Sequence, residues 1–72
     1  MIDLEKVKGY DILTARRKEI FKEVFVRHNA CYENPENKKE MTPVKVENDE
    51  HGVKVTFKNK VWLHYYANGT WG

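Results

Sequence analysis

Three histidines and a single cysteine are the residues of this 72-residue chain best suited to chemistry, and the chain contains no serine. His28 and Cys31 stand three positions apart, a spacing that on a helix brings an imidazole near a thiol. A nucleophilic pair of that kind needs a third group to orient the base, and the sequence offers none near it. As zinc ligands the same two residues make half of a tetrahedral set, with no second cysteine and no paired-ligand motif to complete it. Gly9, Gly52, Gly69 and Gly72 are dispersed, so no phosphate-cradling run precedes a helix. These residues lead to the expectation of a non-enzymatic protein without metal or cofactor. Cys31 is expected as a small buried residue at a helix end, and His51 as a solvated turn residue.

The other concentration of chemistry is aromatic. VWLHYYANGTWG, the last twelve residues, holds both tryptophans and two of the four tyrosines. Alternation along a strand puts Val61, Leu63 and Tyr65 on one side and Trp62, His64 and Tyr66 on the other. A two-residue turn at Asn68-Gly69, both in positive φ, sets Ala67 opposite Thr70 and Tyr66 opposite Trp71. The expectation is an outer face carrying Trp62, His64, Tyr66 and Trp71, flanked by Lys45, Lys54 and Lys58. Two readings of these rings stay open. They are cross-strand pairs stiffening a small sheet, covered in part by the N-terminal IDLEKVKGY, or they are a contact surface, since bare rings of these types dominate interface hot spots.

Elements must position them. Residues 11–30, DILTARRKEIFKEVFVRHNA, lack Gly and Pro, and Leu13, Ile20, Val24 and Cys31 recur on one side, widened by Phe21 and interrupted by Arg17. This predicts one helix, capped by Asp11 or Thr14, with Arg16–Glu19 and Glu23–Arg27 as a solvated ion-pair ladder. The run Val24-Phe25-Val26 strains that reading, because a helix must point Val26 away from the stripe. Gly9 is expected to end a first short turn. Residues 33–42, polar and holding Pro35, read as a loop.

From residue 43 the period becomes two. Val44 and Val46, then Val53, Val55 and Phe57, alternate with Lys45, Glu47, Lys54, Thr56 and Lys58. The whole is a single α+β domain over residues 1–72: a helix on a C-terminal antiparallel meander over 43–72 of three strands and a stub of a fourth, valines inward.

Composition limits the function classes. Apolar residues are 40% and charged residues 33% of the chain, ordinary for a folded globule. A formal net charge of +2 is far short of a declared nucleic-acid binder. No window approaches the roughly 18 apolar residues of a membrane span, and the N-terminus lacks a signal-like core. One cysteine suits a reducing compartment, so the expected location is the cytoplasm. The leading expectation is a small protein-binding module, a regulator or inhibitor of a larger host enzyme of the kind phages and other mobile elements make, acting by occupying a surface. Trp62, His64, Tyr66 and Trp71 anchor it, and Lys45, Lys54 and Lys58 steer an acidic partner, a nucleic-acid enzyme among the candidates. The alternatives are nucleic acid on the same aromatic and lysine face, and a homodimer through that face.

Overall fold

The computed structural model describes residues 3–72, so Ile2 of the N-terminal segment lies outside the described residues. Helix α1, Ala15–Ala30, is followed by a short helix α2, Pro35–Glu40, and by the strands β1, Pro43–Asp49, β2, Gly52–Phe57, and β3, Trp62–Tyr66. The strands form an antiparallel sheet in the order β1-β2-β3. Architecture and class are those expected, α+β with the helix laid on the meander. The last residues add only an isolated bridge, Tyr65 to Trp71, rather than a fourth strand.

Of the two candidate caps for α1, Thr14 fills the role: its Oγ1 accepts from the Arg17 backbone N–H at 3.2 Å, which moves the helix start to Ala15. Upstream, Asp11 belongs to a tight 3-10 turn, Tyr10–Ile12, and Gly9 stands at φ 91° just before it. That glycine is needed there. A Cβ at Gly9 would run into the Val46 carbonyl oxygen, since the chain crosses β1 so closely that Val46 N–H donates to the Lys8 carbonyl at 2.8 Å.

The helix buries Ile20, Phe21, Val24, Phe25 and His28 against Val46, Val53, Val55, Phe57 and Tyr65 of the sheet. Each fully buried apolar side chain here contributes about 1.5–3 kcal/mol relative to exposure. The Val24-Phe25-Val26 conflict resolves at once: Val24 and Phe25 go into the core and Val26 is left 67% exposed. Arg17, which breaks the stripe, turns its guanidinium to the β1–β2 turn and donates from Nε to the Gly52 carbonyl at 2.8 Å and from NH2 to the Asp49 carbonyl at 2.9 Å.

Four expectations are corrected here. Residues 33–42 are not all loop, because Asn34 caps α2 with Pro35 in its first turn, α1 having already ended at Ala30. Cys31 is exposed, its place on the buried stripe taken by His28. Val44 is not inward, since the register of β1 against β2 shifts between Pro43 and Lys45 and the bulge leaves Val44 45% exposed while Pro43 is buried. Val61, also expected inside, precedes β3 and is 44% exposed.

Candidate functional site

The register of the sheet lays out its outer face, opposite α1, as three rows. Lys45 pairs with Thr56 and Thr56 with Trp62; Glu47 with Lys54 and Lys54 with His64; Asp49 with Gly52 and Gly52 with Tyr66. Each row holds one residue from each strand because side chains two apart share a face. Along β3 the rings form a column. Trp62 meets His64 edge-on at 5.4 Å between centroids, and His64 stacks on Tyr66 at 6.1 Å and 29°. His51, exposed in the β1–β2 turn, extends the column to within 6.4 Å of Tyr66. Trp62 is 53% exposed, and Lys54, Thr56, His64 and Tyr66 are half-buried.

The charges of this face are paired within it. Lys45 Nζ lies 2.8 Å from Glu47 Oε1, and that hydrogen bond holds the Glu47 carboxyl below the usual carboxylate range. Lys54 Nζ sits 4.8 Å from the centre of the Trp62 ring, a cation–π contact. Asp49 Oδ2 is 3.6 Å from His64 Nε2. With Lys45 and Lys54 set against Glu47 and Asp49, and histidine counted as neutral, the grid carries no formal net charge.

The expected site residues therefore separate. Trp62, His64, Tyr66, Lys45 and Lys54 come together on the outer face. Lys58 lies past the end of β2, in an open hollow lined also by Glu36, Lys39, Glu40 and Asn59. Trp71 is on the other side of the sheet: it pairs with Tyr65, not Tyr66, and its indole packs on the core with its centre 5.1 Å from the His28 ring. The cause is one residue of loop length. Gly69 N–H donates to the Tyr66 carbonyl and Tyr66 N–H to the Thr70 carbonyl, so the loop is Ala67-Asn68-Gly69, and Gly69, at φ 89°, has the left-handed backbone in place of an Asn-Gly pair. This is the three-residue hairpin with a bulge, and relative to a two-residue loop it inverts the face of every residue beyond it.

His28 becomes the polar centre of the core rather than a partner of Cys31. Its Nδ1 is 2.8 Å from the Tyr65 hydroxyl and its Nε2 2.9 Å from the Tyr32 hydroxyl, so the neutral ring donates to one and accepts from the other. Burial lowers the His28 pKa, and burial followed by the proximity of Tyr32 raises that of Tyr65. Cys31 Sγ instead faces the Arg27 carbonyl at 3.5 Å. Among the described residues no group of three His, Cys, Asp or Glu side chains is placed to hold a metal ion, and no helix is long and apolar enough to cross a membrane.

Two exposed or half-buried residues of β1 escaped the sequence reading. Val44, beside Lys45, is taken out of the core by the bulge; the signal was Pro43, since proline in sheets favours strand starts and bulges. Asp49 faces His64 because β1 runs on through Asn48 and Asp49, where the alternation Lys45, Glu47, Asp49 could have been followed. Compared with protein-family models, with curated proteins and with solved structures, the chain finds no match in any of the three.

Proposed function

We propose that this chain is a small protein-binding module whose contact surface is the outer face of the sheet, with Trp62 as its main anchor, and that it regulates a larger protein by occupying a site on it. The observation that carries this reading is Trp62 itself. An indole 53% exposed, held from beneath by Lys54 and from the side by His64, is fixed in place without being covered. Ordered, exposed rings of this kind make hot spots because little side-chain freedom remains to be lost on binding.

Single-stranded nucleic acid is the competing occupant, since bases stack on such rings. Charge weighs against it. Phosphate binding draws on free cations, and the lysines of this grid are matched by Glu47 and Asp49. The same pairing shifts the expected anchor chemistry from lysine steering toward aromatic contact.

The test compares the wild-type chain with Trp62→Ala in capturing a partner from its native host at about 50 and about 300 mM salt, a range over which phosphate-dominated binding weakens steeply. A specific protein lost at least about tenfold in Trp62→Ala, and retained at the higher salt, supports the reading. Binding indifferent to Trp62, or nucleic acid recovered at low salt only, overturns it.

A further inference from the structure

We infer that the outer face pairs with the same face of a second copy of this chain, about a two-fold axis that runs along β2. The inference rests on reading that face as a docking surface, and it names one occupant by the complementarity of the grid to itself.

An axis along β2 exchanges β1 and β3 across the interface. Lys45 of each copy then meets Trp62 of the other, Glu47 meets His64, and Asp49 meets Tyr66. A cation meets a ring face, a carboxylate meets an imidazole, and a carboxylate meets a phenol hydroxyl, each a favourable pairing made twice because the contact is isologous. Residues of β2 lie on the axis and meet themselves. Thr56 does so without cost, and the Lys54 ammonium is already drawn aside onto Trp62, 4.8 Å from its ring centre. A two-fold axis across the strands would keep Lys54 on Lys54, add Glu47 on Glu47 and His64 on His64, and offset these only by setting Lys45 on Asp49, so the axis along β2 has the fewer like-on-like contacts. Two sheets stacked this way are aligned, about 10 Å apart, as in a sandwich.

The pairing is weak by its size. The molecule measures 31 × 23 × 20 Å, and a single three-stranded face of it falls short of the roughly 800 Å² that each partner gives to a standard interface. The dimer is therefore a reservoir that covers Trp62 at high concentration and opens for a tighter partner.

Sedimentation equilibrium of the full chain between about 1 μM and about 1 mM tests this, with monomer expected at the low end and dimer at the high end. Trp62→Ala should weaken the dimer at least about tenfold while leaving the fold, read by circular dichroism at low concentration, unchanged. Cross-linking reads the axis. With the exposed Cys31 replaced by serine, a short bismaleimide should join two copies of Thr56→Cys and not two copies of His64→Cys. A monomer at every concentration, a dimer indifferent to Trp62→Ala, or the reverse cross-linking pattern overturns the inference. A monomeric chain that still loses a captured protein in Trp62→Ala sinks this pairing alone; a dimer with no Trp62-dependent partner sinks the larger-partner reading alone.

Discussion

Trp71 and His28 lie ring against ring, 5.1 Å between centres, on the helix side of the sheet, while Trp62 stands exposed on the opposite side. The two indoles of one short segment thus have different physical roles, and substitution separates them. Trp71→Ala removes a half-buried ring from the edge of the core and should cost about 2–3 kcal/mol in urea unfolding. Trp62→Ala should cost under about 1 kcal/mol, because its ring leaves only Lys54 and His64 behind. Equal losses would contradict the assignment of faces.

His28 makes stability depend on pH. Burial sets its folded pKa below the ordinary 6.5, so below that value the unfolded chain binds a proton that the native chain resists. Stability is then complete above about pH 6.5 and falls with acidification until the folded pKa is passed, at no more than about 1.4 kcal/mol per pH unit for one proton. Glu47, whose pKa is depressed below 4.5, loses its contribution only at lower pH and so does not account for a slope between pH 7 and 5. Melting temperatures across that window should slope in the wild type and flatten in His28→Gln, although the variant starts lower.

Arg17 ties α1 to the β1–β2 turn through two carbonyls at 2.8 and 2.9 Å. Arg17→Met keeps the stem and removes both charge-assisted bonds, for a loss of about 1–3 kcal/mol. Arg17→Lys should recover less than half of it, because a single ammonium lacks the fork that reaches both oxygens. Chemical denaturation of the three proteins checks the order.

How far the fold was legible follows from these same residues. Period and punctuation placed α1 and the meander because Ile20, Phe21, Val24, Val46, Val53, Val55 and Phe57 are apolar at intervals matching their elements, and all are buried. What failed was parity. A bulge at Val44 and a third loop residue before Thr70 each shift the chain by one position, and in a structure of period two a single position exchanges inside for outside. Neither shift alters the composition of the segment, so alternation alone could not show it. His28 was legible in principle, being four residues beyond Val24 on the buried side, but an ionisable ring reads as a ligand until the tyrosines that satisfy it are known.

The C-terminal hairpin permits a test of parity itself. Its loop is Ala67-Asn68-Gly69, closed by Tyr66 and Thr70, with Trp71 beside Tyr65. Deleting Ala67 leaves Asn68-Gly69 as a two-residue loop between the same closing pair, a turn those residues favour, and Trp71 stays against His28. Deleting Thr70 brings Trp71 opposite Tyr66 and turns its indole to the outer face, away from the core. The two one-residue deletions should therefore differ sharply. Without Ala67 the melting temperature should change little and the buried-indole fluorescence should persist. Without Thr70 the protein should lose about as much stability as Trp71→Ala, and its emission should shift to the red as a second indole meets water. If both deletions behave alike, loop length does not set the face of Trp71, and the separation of the two tryptophans needs another cause.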